Sequence, residues 1–194
     1  MSEIRATARL LMLDAHGRVL LQQLNSVNWP GIWIPPGGGI KPGESTEAAA
    51  IREALEETGF VIPPALLGPV IATATGPRLS GAPGLSHSSY FLVRIEGLTK
   101  VEPQPEEHET HLLRGERWWT LDDLASTDEL TAPQGLAELL PPLLAGEIPS
   151  QPRVLTWLPT RRLAGTTTPP DRPAPGLRPY PAAADHHDGG RFSR

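Results

Sequence analysis

The chain has 194 residues, enough for one domain of ordinary size with a tail, and 39% of them are apolar, a share held down by 23 Pro and 19 Gly. Charge is uneven: residues 1–145 hold ten Lys and Arg against 18 Asp and Glu, whereas residues 146–194 hold seven Arg against four acids together with nine of the prolines. An acidic domain excludes nonspecific nucleic-acid binding, which needs a basic face against phosphate, and the absence of Cys excludes disulfides, thiolate chemistry and Cys-ligated zinc.

No run approaches the roughly 18 apolar residues of a membrane span, and Met1-Ser2-Glu3-Ile4 lacks the layout of a signal peptide. The expectation is a soluble, cytoplasmic protein without a membrane partner.

In chain order, the apolar runs Ile4 to Leu13 and Val19 to Leu24 flank the turn Asp14-Ala15-His16-Gly17 and predict a β-hairpin. A short strand at Ile32-Trp33-Ile34 follows, then Pro35-Pro36-Gly37-Gly38-Gly39, which reads as a loop. Glu44 to Phe60 is the strongest helix pattern, with Ser45 placed to cap its start and Gly59 its end. Strands are expected at Leu66 to Thr75 and Ser89 to Ile95, with a Gly/Pro/Ser loop over residues 76–88. Trp118-Trp119-Thr120 predicts a last short strand, and Asp122-Asp123-Leu124 a turn of helix. A final helix begins at Pro133 and ends before Pro141-Pro142. From about Thr166 the Pro-rich tail is expected to be disordered, since it buries too little apolar area to offset ordering entropy, while Arg153 to Leu158 can still pack on the domain.

On a helical wheel Ala48, Ile51 and Leu55 share one side, expected to face the core, and Glu53, Glu56 and Glu57 share the other, with Arg52 beside them. Like charges at i+3 and i+4 repel. A hard divalent cation with oxygen ligands offsets that repulsion, although a charged stripe taken alone also suits a solvated helix face. The Gly-rich loop just before the helix adds backbone amides of the kind that suit phosphate oxygens.

Gly38, five residues, Glu44, seven residues and then Arg52-Glu53-Ala54-Leu55-Glu56-Glu57-Thr58-Gly59-Phe60 reproduce the Nudix box, G-x5-E-x7-R-E-U-x-E-E-x-G-U, where U is bulky and apolar. Every polar and Gly position is filled; Ala54 is the one departure, a small residue at a U position. Trp33 with Pro36-Gly37-Gly38 resembles the entry to the box, and Arg117 to Leu121 with Leu124 the end of the domain. The chain therefore resembles the Nudix hydrolases over roughly residues 4–145, so residues 1–145 are expected to form the domain and residues 146–194 a largely disordered Pro/Arg-rich extension.

The resemblance implies an α/β fold, an α/β/α sandwich around a mixed sheet. It also implies a Mg²⁺- or Mn²⁺-dependent hydrolase that cleaves a nucleoside diphosphate linked to another moiety by water attack on phosphorus. Candidate substrates are nucleoside triphosphates, sugar nucleotides, ADP-ribose and dinucleoside polyphosphates. Carried over by position, Glu53, Glu56 and Glu57 ligate metal, with the Gly37 carbonyl completing the shell. Glu53 helps deprotonate water, and Arg52 orients a carboxylate by a bidentate contact. Gly38 and Gly39 face substrate, and Glu44 supports the loop. Glu106 and Glu109, with Glu107 between them, are candidates for a further carboxylate from outside the box. Substrate choice is expected to lie in residues 76–88 and around Glu102–Glu109.

Paired strands, frequent in the family, leave a homodimer open. A nucleotide-sensing module without turnover is the alternative function. The complete Arg52-Glu53 and Glu56-Glu57 set favours the hydrolase, since a module has no need of clustered like charges. Isoprenoid diphosphate isomerisation on this fold usually employs a Cys, which the chain lacks.

Overall fold

The computed structural model describes residues 4–104, 112–158 and 178–179. Its centre is a mixed sheet built from β1 (Ile4–Leu13), β2 (Val19–Asn25), β3 (Pro30–Ile34), β4 (Gly37–Gly39), β6 (Val70–Pro77), β7 (Leu85–Arg94), β9 (Leu113–Trp119), β10 (Arg153–Thr156) and β11 (Arg178–Pro179). The strand order is β10-β6-β7-β1-β2-β9-β11, with β3 on β2 and β4 on β1. A separate two-stranded pair joins β5 (Phe60–Val61) to β8 (Thr99–Lys100). The helices are α1 (Thr46–Glu53), which continues as a π turn over Ala54–Thr58, then α2 (Leu121–Ser126) and α3 (Leu136–Leu144).

β1 explains the layering. Its two faces are both apolar from Leu10 onward, as a central strand covered on both sides must be. Ala8, Leu10 and Met12 pack with Ala49, Ala50 and Ala54 from α1 and its π turn. Leu11 and Leu13 pack on the opposite face with Leu136, Leu139, Leu140 and Leu143 of α3. Helices thus cover both faces of a mixed sheet, the α/β/α arrangement. Trp33 and Trp119 are fully buried with ring centroids 5.2 Å apart, edge to face, so Trp33 serves the core. Trp118 is half-buried.

Several elements differ from the sequence expectation. β1 and β2 flank the expected turn, but pair only at Leu13 and Val19, because the rest of that edge of β1 is taken by Pro36 and β4, while β7 pairs in parallel along the other edge. Gly37–Gly39, read as a loop, is strand β4 and pairs antiparallel with Thr7–Arg9. At Gly37 (φ 130°) a Cβ would stand 2.2 Å from the Ala8 carbonyl oxygen, so only glycine permits that approach. Strands β6 and β7 run further toward each other than expected and leave only residues 78–84 between them. The last helix does not begin at Pro133. It starts after Gly135 and carries Pro141 and Pro142 inside it, its apolar face held by the α3 leucines already named.

The helix of the box is rotated from its expected setting. Ala48 and Leu55 are exposed and Ile51 is half-buried, while Ala49, Ala50 and Ala54 fill the core side. Glu53 and Glu57 are buried with them, at 1% and 6% exposure, so the carboxylate stripe is not a solvated face. Ser45 caps the start by accepting from the Ala48 amide, and Gly59 ends it in the left-handed region at φ 74°. A Cβ on Gly59 would also meet the Val101 carbonyl oxygen at 2.0 Å.

After α3 the chain returns to the sheet. Arg153–Thr156 pairs in parallel with Ala72–Thr75 of β6, and the Gln134 amide donates to the Thr156 carbonyl at 2.8 Å. Trp157 is buried. The segment from Arg153 to Trp157 therefore packs on the domain. Glu106, Glu107, His108, Glu109 and the tail from Thr166, apart from the backbone of residues 178–179, lie outside the described residues. Among the described residues no helix is long and apolar enough to cross a membrane.

Candidate active site

Strand β4 and the helix of the box meet at a cluster of four carboxylates around one guanidinium. Arg52 donates from Nε to Glu44 Oε1 at 2.8 Å and from Nη2 to Glu44 Oε2 at 3.0 Å, a bidentate pair. Its Nη1 reaches Glu53 Oε1 at 2.8 Å and Glu56 Oε2 at 2.7 Å, and its Nη2 also donates to the Gly39 carbonyl at 2.9 Å. One side chain thereby ties the box loop, Glu44 and two helix carboxylates together. Lysine, with three donors on a single nitrogen, has no fork to span those acceptors. Lys41 adds a looser contact from Nζ to Glu56 at 3.8 Å, and its backbone amide donates to Glu44 Oε2 at 2.9 Å.

Glu57 takes a different partner. Its Oε2 accepts from the Gly37 amide at 2.7 Å, so a strand-end N–H compensates part of the cost of burying that charge. The Glu53 carboxylate lies over Gly38: a Cβ there would sit 2.7 Å from Oε1 and 2.9 Å from Oε2. Gly38 is therefore glycine for want of room. The structure brings Gly37, Gly38, Gly39, Glu44, Arg52, Glu53, Glu56 and Glu57 together in one place, and Glu106 and Glu109 are outside the described residues.

Neighbouring charge sets the ionisation here. The Arg52 hydrogen bonds hold the Glu44 carboxyl down from its ordinary value of 4.5 to about 2, with the Lys41 amide assisting, while the carboxylates around Arg52 push its own value up. A carboxyl lowered on folding adds stability above its unfolded value and loses it as pH falls toward its folded one. The difference in thermal stability between wild type and Glu44→Gln should hence be constant above about pH 4.5 and vanish near pH 2. Melting curves at half-unit pH steps check this, and a difference that persisted unchanged at pH 2 would refute it.

Among the described residues no three His, Asp or Glu side chains close on one point as a ready-made metal cage. In this structure Glu44, Glu53 and Glu56 turn to Arg52. The donor set nonetheless suits a hard cation: all its candidate ligands are oxygens, and four carboxylates gather beside Arg52, with the half-exposed Lys41 at 3.8 Å from Glu56. Such an excess of buried negative charge favours a cation beside it.

A cleft of about 150 Å³ opens from this cluster, with Gly37, Gly38, Gly39 and Glu57 on its near side. Arg5, Thr7 and Arg9 of β1 line it, as do Arg78 and Ser80 after β6 and Ser86 and Ser88 of β7. Trp157 forms another part of its wall. The expected specificity segment, residues 76–88, does border the cleft. The β1 arginines and Trp157 were not anticipated from the sequence.

A NUDIX domain model matches residues 3–142. The chain belongs to the Nudix family. A Bacillus subtilis protein named "Putative 8-oxo-dGTP diphosphatase" is 43% identical over 53 residues, 27% of this chain and 34% of that protein. The mouse diphosphoinositol polyphosphate phosphohydrolase 3-alpha is 40% identical over 55 residues, 28% of this chain and 32% of that protein. The match to these curated relatives spans about a third of their length. Among solved structures, a Nudix hydrolase from Nitrosomonas europaea superposes with a TM-score of 0.55 at 17% identity, covering 75% of this chain and 92% of that one. The E. coli ORF135 protein gives 0.54 at 22% identity, covering 77% and 96%. Both show that this Nudix chain shares their fold.

Proposed function

We propose that this Nudix domain is a divalent-metal-dependent hydrolase that cleaves a nucleoside diphosphate linked to another moiety. The observation that carries the reading is the complete carboxylate set around Arg52, with buried Glu53 and Glu57 bordering the three glycines at the mouth of a cleft. Relatives whose names describe a diphosphatase and a diphosphoinositol polyphosphate phosphohydrolase support the same bond class.

In this reading Glu53, Glu56 and Glu57 hold Mg²⁺ or Mn²⁺, with the Gly37 carbonyl as a further oxygen. When bound, the metal neutralises charge building on the phosphoryl oxygens and lowers the pKa of water. Glu53 takes the proton from the attacking water. Arg52 acts as a positioning residue: its fork fixes Glu53 and Glu56 and ties the helix to Gly39. Glu44 fixes Arg52 in turn. Gly38 and Gly39, lacking side chains, let a diphosphate lie against β4.

The test is metal-dependent product release over a panel of ADP-ribose, sugar nucleotides, canonical and oxidised nucleoside triphosphates and dinucleoside polyphosphates. Turnover of one class, abolished by a chelator and restored by Mg²⁺ or Mn²⁺, is the expected result. Absence of turnover across the panel, with a nucleotide still raising the melting temperature, would replace the hydrolase by a ligand-sensing module.

A further inference from the structure

On β1, Arg5, Thr7 and Arg9 alternate with Ala6 and Ala8 and so point to one face of the sheet. That face is apolar at Leu11 and Leu13, where α3 covers it, and becomes polar where the cleft opens. Parallel pairing sets Arg5 beside Ser86 and Thr7 beside Ser88 on β7, and Thr7 donates to Ser88 Oγ at 2.8 Å. Arg78 reaches the same cleft from the end of β6.

Arg9 is the informative member. It is 93% buried, and among the described residues its one hydrogen bond runs from Nη1 to the Pro35 carbonyl at 2.8 Å, leaving Nε without an acceptor. Among the described residues neither Arg5 nor Arg9 pairs with a carboxylate. A desolvated guanidinium without a counter-charge is unfavourable, and guanidinium is well matched to phosphate oxygens. Arg5 lies over Gly39, where a Cβ would stand within 2.0 Å of its Nη2. The positive wall therefore begins where the glycines of the carboxylate cluster end.

We infer that Arg5, Arg9 and Arg78, with Thr7, Ser86 and Ser88, form a phosphate-binding wall, and that the substrate carries at least one phosphate beyond the diphosphate being cleaved. The inference rests on the hydrolase reading and narrows it: nucleoside triphosphates and dinucleoside polyphosphates supply the additional phosphate, whereas ADP-ribose and simple sugar nucleotides do not.

The test uses the full chain in excess EDTA, with inorganic tripolyphosphate and pyrophosphate as probes and calorimetric titration as readout. Tripolyphosphate should bind at least tenfold more tightly than pyrophosphate, and R9M should weaken it at least tenfold. Because Arg9 is buried, R5M is measured alongside: its exposed side chain leaves the fold unchanged, and it should weaken tripolyphosphate severalfold. Equal binding of the two probes, or tripolyphosphate binding unmoved by R5M and by folded R9M, overturns the wall. Arginine-dependent binding without turnover on the panel would keep the wall and remove the hydrolase. Turnover of ADP-ribose at equal kcat/KM in wild type and R5M, with no gain for the triphosphates, would remove the wall and keep the hydrolase.

Discussion

Glu57→Gln should abolish turnover and leave the protein as stable as wild type, or slightly more so. Glutamine retains an oxygen to accept from the Gly37 amide, which meets Glu57 Oε2 at 2.7 Å, and it fills nearly the same volume. What disappears is one negative charge of four clustered beside Arg52, three of them within its reach. Relief of that repulsion favours the fold, whereas loss of an anionic oxygen beside the cation weakens its binding. Removing an outer-shell partner already costs about 10- to 100-fold in metal affinity or activity, so loss of Glu57 as the proposed direct ligand should cost at least about 100-fold. Glu53→Gln should cost a similar factor, for a different reason if Glu53 takes the proton from water. Its kcat should fall even at saturating Mg²⁺, while Glu57→Gln should first show a raised metal requirement. Steady-state kinetics over a Mg²⁺ series, with melting curves on the same preparations, separate the two. Wild-type turnover by Glu57→Gln would sink the assignment.

The box was legible because its chemistry is written in residue identity at fixed spacing. Glu44, Arg52, Glu53, Glu56 and Glu57 lie within 14 positions, and the polar contacts of Arg52 are nearly all local. The rotation of its helix was not legible. A wheel weighted by hydrophobicity puts Ile51 and Leu55 inward, but the close approach to β1 and β4 requires small side chains, so Ala49, Ala50 and Ala54 take that place. The π turn over Ala54–Thr58 then offsets the period that a regular helix would keep. Ala54, anomalous as a pattern position, suits this packing at 0% exposure. Strand β4 was missed for a related reason: three consecutive glycines carry no strand propensity, yet Gly37 is required beside the Ala8 carbonyl and Gly38 beneath the Glu53 carboxylate. The arginine wall did leave a signal, the alternation Arg5-Ala6-Thr7-Ala8-Arg9, though which face it lines depends on β7, some 80 residues away.

The contact least visible in the sequence joins Trp157 to Gly76 across the β10–β6 pair, and it makes the second large prediction. Trp157 is 6% exposed and packs in a cluster with Leu24, Ile32, Ile34, Leu113 and Ala132. Truncating a buried Trp to Ala costs about 3–5 kcal/mol, so Trp157→Ala should lower the melting temperature by roughly 6–20 °C for a domain of this size. Truncation after Gly146 should cost at least as much, since it removes the parallel pairing of Arg153–Thr156 as well. Gly76→Ala tests the same contact from the other side. A Cβ at Gly76 would lie 1.6 Å from Trp157 Cδ1 and 1.8 Å from Cγ, so the ring must leave its place. Because both substitutions break one contact, their effects should not add: in a Trp157→Ala background, Gly76→Ala should cost far less than it does alone. A double-mutant cycle by chemical denaturation measures that coupling. Additive costs would mean that Trp157 does not rest on Gly76. Since Trp157 also walls the cleft, the single variants should raise KM more than they lower kcat, which links an element beyond residue 142 to substrate binding rather than to the carboxylate chemistry.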